Sequence, residues 1–170
     1  CEAGGQLEVA ENLYHTCAET DAAYLAPAAF GLARVRVARG DIDDATAALD
    51  MVPPSSRSYV ESRRFRADLL AGVEQSDMAT LDQAMQSIAG VQLAVSERET
   101  IVSRVLERAL QMVTEQGPSP GTIGPFETKE VPLRNALETS YRRLAHEATR
   151  TEDRIDLVNQ ANAVRTWTWR

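Results

Sequence analysis

Lysine is almost missing from this chain, whose basic residues are seventeen arginines and the single Lys129. ATP-binding and phosphate-cradling motifs need a lysine at a fixed place, on a strand or closing a glycine-rich loop. Lys129 stands instead in a Pro/Gly-rich stretch, and neither His-Arg-Asp nor Asp-Phe-Gly occurs anywhere. The two histidines, His15 and His146, have no Asp or Ser at motif spacing. No catalytic residue is expected. Cys1 and Cys17 form no Cys-x-x-Cys pair and have no histidine at ligand spacing, which argues against a disulfide framework or a zinc site. No metal and no cofactor are therefore expected. Aromatics make up only 5% of the chain, too few for a sheet-built core. No apolar run reaches the roughly 18 residues of a membrane span. The net charge of −7 disfavours nucleic acid and anionic membranes as partners.

What is abundant is alanine, within a composition 44% hydrophobic and 25% charged. That balance fits an all-α globular chain with closely packed helices. A repeated signature sharpens the reading. Gly5, Ala10, Tyr14 and Asp21 are echoed by Gly40, Asp41, Ala45 and Leu49, with the two glycines 35 positions apart. Glycine permits the turn between antiparallel helices, alanine lets them approach, and the larger residue fills the groove one turn on. The period is close to the ~34 residues of a tetratricopeptide repeat, so the expected architecture is a helix-pair solenoid, a TPR-like αα superhelix.

Read along the chain, residues 5–20 form the second helix of a truncated repeat, with Cys17 at a small-residue packing position. The chain opens on Cys1 rather than methionine, so the partner helix is expected upstream. The next helix is expected to start near Pro27 and run to Gly40. Asp41 then caps a helix through Ile42, Ala45 and Leu49. Val52-Pro53-Pro54-Ser55-Ser56-Arg57 breaks the chain. Capping-box spacings at Ser58/Glu61, Thr80/Gln83 and Ser96/Glu99 mark three further helices. A Pro/Gly loop at 117–132 carries no expected strand, with Ile123 and Phe126 as candidates to dock it. Helices from Pro132 and from Thr151 close the chain. The organisation expected is repeats over 1–52, the first truncated, and further helix pairs of the same domain over 53–170.

Two groups of residues are candidates for partner binding. Arg34, Arg63, Arg64 and Arg66 fall on first helices, which in a solenoid line the concave face and can receive acidic groups. The plainer alternative is that they pair with the acidic second helices. Trp167 and Trp169 alternate with threonine at the end of the chain and suit docking onto a neighbour.

Gly40-Asp41-Ile42-Asp43-Asp44-Ala45, continuing into Ala48-Leu49-Asp50-Met51 and the Val-Pro-Pro-Ser-Ser-Arg junction, resembles the C-terminal repeat region of bacterial protein kinase G. The resemblance returns at Leu137-Glu138, Tyr141-Arg142-Arg143-Leu144-Ala145, Leu157-Val158, Ala161-Asn162 and Val164-Arg165. Between Gly72 and Pro132 it extends only to the helix pattern. It implies a cytoplasmic actinobacterial serine/threonine kinase, often preceded by a rubredoxin-like metal module, whose repeat domain serves self-association and regulation. By the same resemblance the kinase phosphorylates a forkhead-associated-domain regulator of glutamate and 2-oxoglutarate metabolism. The partners implied for this chain are another protein or the kinase domain of the same chain, together with a second copy in a homodimer. A freestanding peptide-binding repeat adaptor is the alternative.

Overall fold

The computed structural model describes residues 4–20, 22–74 and 76–165. Cys1, Asp21, Trp167 and Trp169 lie outside them. Eight helices are present among the described residues: α1 (Leu7–Thr20), α2 (Ala22–Arg39), α3 (Ile42–Asp50), α4 (Tyr59–Ala71), α5 (Met78–Ile88), α6 (Val95–Gln116), α7 (Glu130–Glu147) and α8 (Thr151–Val164). The chain divides into two compact units, residues 1–70 and 71–170.

In the first unit the repeated glycines do the same work twice. Gly5 and Gly40 hold φ of +73° and +86°, a region open to glycine at little cost, and a helix begins two residues after each. Five residues beyond each glycine an alanine, Ala10 or Ala45, is buried. α1 packs on α2 and α2 on α3. Glu11 reaches Arg36 while Tyr14 reaches Arg34, so later residues of α1 meet earlier ones of α2 and the pair is antiparallel. Leu32, Ala33, Ala45, Ala48 and Leu49 form the core, with Phe30 stacked parallel to Phe65 at 6.3 Å between centroids.

Several local expectations are corrected. α2 begins at Ala22 rather than Pro27, because alanine-rich residues favour the helix and proline's fixed φ fits it at the loss of one N–H. Cys17 is exposed, not a core packer, since only Ala10 of α1 is fully buried and Val9 and Leu13 also face outward. Asp41 stands at the start of α3, yet among the described residues its carboxylate makes no capping bond.

In the second unit α6 is the spine, packing along α7, and α7 packs on α8. Ile101, Val105, Leu106 and Ala109 of α6 are fully buried beside Leu133 and Leu137. Tyr141 donates to Glu107 at 2.6 Å, whereas Arg143, later on α7, reaches Glu99, earlier on α6, at 2.8 Å, an antiparallel register. The caps are not where the sequence spacing put them. Asp77 caps α5, accepting from the Thr80 N–H at 2.8 Å, so Thr80 is the third helical residue rather than the cap. Glu97 accepts from the Ala94 N–H at 3.2 Å, whereas Glu99 turns inward; alanine has no side-chain acceptor, so this is half a capping box. At α4, Glu61 turns to Arg64.

The segment expected to carry no strand holds a two-stranded ribbon, β1 (Thr122–Ile123) against β2 (Phe126–Glu127), antiparallel with Ile123 opposite Phe126. Gly124 at φ +54° makes the tight turn possible. Buried Thr128 secures its base, its hydroxyl lying 2.5 and 2.9 Å from the Ser119 and Gly121 carbonyls.

Candidate functional site

The four arginines singled out in sequence all belong to the first unit, and each has an internal partner. Arg63 donates to Asp50 Oδ1 and to the Leu49 carbonyl, both at 2.7 Å, and its guanidinium lies 5.3 Å from the Tyr59 ring centroid. Arg66 joins the same aspartate at 3.1 Å. Arg64 bonds Glu61 and Asp68 on its own helix. That bond to Arg64 holds the Glu61 carboxyl below its ordinary range. Arg34 donates to the Tyr14 hydroxyl at 3.4 Å. Nearby, Arg36 and Arg39 both bind Glu11. The arginines thus tie first helices to acids on second helices and on their own turns. They form a crossed network rather than a bare cationic strip.

A different feature stands out in the second unit. The end of α5, the start of α6, the ribbon and one face of α7 enclose a groove of about 570 Å³. Its apolar wall includes Met85, Ile88, Val102 and Phe126. The ribbon is held over it by Asp82 of α5, which accepts from the Gly124 N–H at 2.8 Å. Ile123 is fully buried and Phe126 half-buried, so both residues do dock this segment.

Polar chemistry converges at the other end. Glu99 is buried, and Arg143 crosses from α7 to meet its carboxylate at 2.8 Å while keeping 61% of its own side chain exposed. Arg98 turns back to the Ile88 and Val91 carbonyls, where a cation is favoured at the end of α5. Sequence reasoning missed this groove. Its only early signal was the Ser96/Glu99 spacing, read as a cap, which hid the fact that Glu99 lies on the inward face of α6.

The family described as protein kinase G tetratricopeptide repeat matches residues 2–168 of this chain. Serine/threonine-protein kinase PknG of Mycobacterium leprae (strain TN) is 34% identical over 141 residues, covering 81% of this chain and 18% of that protein. PknG of Mycolicibacterium smegmatis is 34% identical over 157 residues, covering 89% and 20% respectively. The chain therefore spans about a fifth of the length of these relatives. Among the described residues no helix is long and apolar enough to cross a membrane.

Proposed function

Because this chain belongs to the protein kinase G tetratricopeptide-repeat family, we propose that it is the noncatalytic repeat domain of a cytoplasmic serine/threonine kinase of that kind. It mediates self-association and positions protein partners, including the kinase domain of its own chain. The parent kinase acts, as the family resemblance implies, on a forkhead-associated-domain regulator of glutamate and 2-oxoglutarate metabolism. The family match over nearly the whole chain carries this reading. Reading the encoding gene upstream of Cys1 tests it. Kinase motifs are expected there, and a complete gene without them would return the chain to the class of freestanding adaptors.

Self-association is supported by the outer face of α1, where Val9 and Leu13 are about half exposed. An uncovered apolar helix face favours a symmetric contact with the same face of a second copy. Sedimentation across a concentration series should give a dimer that Leu13→Glu dissociates. A strict monomer at high micromolar concentration would refute the homodimer. Arg34, Arg63, Arg64 and Arg66 are the proposed partner-facing cations. A partner carboxylate would join an existing network there, which favours contact without large unpaired charge. Trp167 and Trp169 are proposed as docking residues on chemistry alone.

A further inference from the structure

The ionisable residues lining the groove of the second unit are Arg98, Arg143 and Glu99, two cations against one anion. In a chain of net charge −7, that is a local reversal of sign. We propose that this groove docks a short extended segment of a partner protein in which an apolar residue is followed two positions on by Asp or Glu, the spacing that puts both side chains on one face. The apolar side chain seats against Met85, Val102 and Phe126, and the carboxylate meets the outer edge of Arg143.

Three observations fix that occupant. The volume of about 570 Å³ falls within the ~300–1,000 Å³ of ligand sites and is enclosed chiefly by apolar side chains. α7 contributes lining residues from Pro132 to Arg143, a strip of roughly 16 Å at ~1.5 Å per helical residue. An extended peptide covers that length with about five residues at ~3.3 Å each. Finally, Arg143 gives Nη1 to Glu99 and stays largely exposed, so the rest of its planar fork of donors is available. Glu99 anchors the guanidinium by that contact, and Arg98 beside it leaves the three groups one net positive charge, which favours a further carboxylate at the outer edge of Arg143. A basic peptide would face Arg143 and Arg98 instead.

The site rests on the reading of this chain as an interaction module but not on self-association, and the two fail separately. The probes are fluorescein-labelled peptides of about eight residues, long enough to span the strip. Each carries a central Leu or Phe followed by Asp-Glu, Lys-Lys or Ser-Ser. Fluorescence anisotropy on the native chain should show the Asp-Glu set binding at least about tenfold more tightly than the others. Binding should move the amide resonances of Gly124, Phe126 and Thr139. Ala136→Trp, which fills the groove while leaving Arg143 in place, should abolish binding, with circular dichroism confirming the fold. Arg143→Glu should lose the Asp-Glu peptides and gain the Lys-Lys set. Neither variant should change sedimentation. Equal affinity for the three sets, preference for lysine, no binding at millimolar peptide, or resonance changes confined to other residues would each overturn the proposal.

Discussion

The ring of Tyr14 lies across the backbone of Gly31, so closely that a Cβ added at position 31 would come within 2.5 Å of Tyr14 Cδ1 and Cζ. The contact sets how near α1 and α2 approach, since no side chain larger than hydrogen fits beneath the ring. Gly31→Ala should therefore destabilise the first unit, with overpacking of about 1–3 kcal/mol exceeding a helix-propensity gain of about 1 kcal/mol. In a Tyr14→Ala background the clash is gone and the same substitution should stabilise by roughly 0.5–1 kcal/mol. Urea melts of the four proteins test this through the change of sign.

Asp50 receives two arginines, but the three residues should not be equivalent. Asp50→Asn removes a half-exposed acceptor and should cost about 0–1 kcal/mol, less at high salt. Arg63→Ala also forfeits the bond to the Leu49 carbonyl and the packing on Tyr59, and should cost about 1.5–3 kcal/mol with little salt dependence. Denaturation at low and high salt distinguishes them, and equal costs would contradict the geometry.

Two groups should give pH dependence at opposite ends of the scale. Hydrogen bonds from the Thr80 N–H and then the Thr80 hydroxyl lower Asp77 below 3.8. Its contribution is present above the unfolded value of about 3.9 and is lost as pH falls through the lower folded value. Asp77→Ala should thus cost about 1 kcal/mol at neutral pH, with the gap closing in acid. Burial, and then the bond to Glu107, raise Tyr141 above its ordinary range. The folded state favours the protonated phenol, so stability is intact below about pH 10 and falls as pH rises beyond it. Tyr141→Phe should remove that alkaline loss. Melting curves across pH, with tyrosine absorbance in parallel, read both effects.

Asp82 holds the ribbon by one charge-assisted bond to the Gly124 amide. Asp82→Ala should speed hydrogen exchange at that amide by tenfold or more, consistent with about 1.5–3 kcal/mol for a bond to a charged acceptor. Amides in the middle of α6 should be unaffected. Uniform acceleration across the unit would mean that the bond supports the whole core instead.

The helix architecture was legible because its signals are local and periodic: Gly5 and Gly40 mark two turns, and the apolar spacing of Ile101, Val105 and Leu106 marks the spine of the second unit. Caps were less legible. A Ser-x-x-Glu spacing records which residues could pair, whereas burial decides which do, and Glu99 was drawn inward to Arg143. The ribbon was missed because two residues per strand are too few for alternation to show. The groove was invisible for a different reason. It is assembled from α5, α6, the ribbon and α7, and its apolar residues carry the same pattern as ordinary core.

Lys129 is the one side-chain amine in the chain, 65% exposed and paired with Glu127 at the foot of the ribbon. It sits three residues from Phe126 and three from Pro132, both of which line the groove. Arginine does not accept the acyl groups that lysine does, so amine-directed acetylation or labelling falls on the scaffold's side chains at this single place. Acylation there would remove a positive charge and free Glu127 beside the groove mouth. A surface whose cations are otherwise arginines thus has one position at which acylation of a side-chain amine can remove a positive charge.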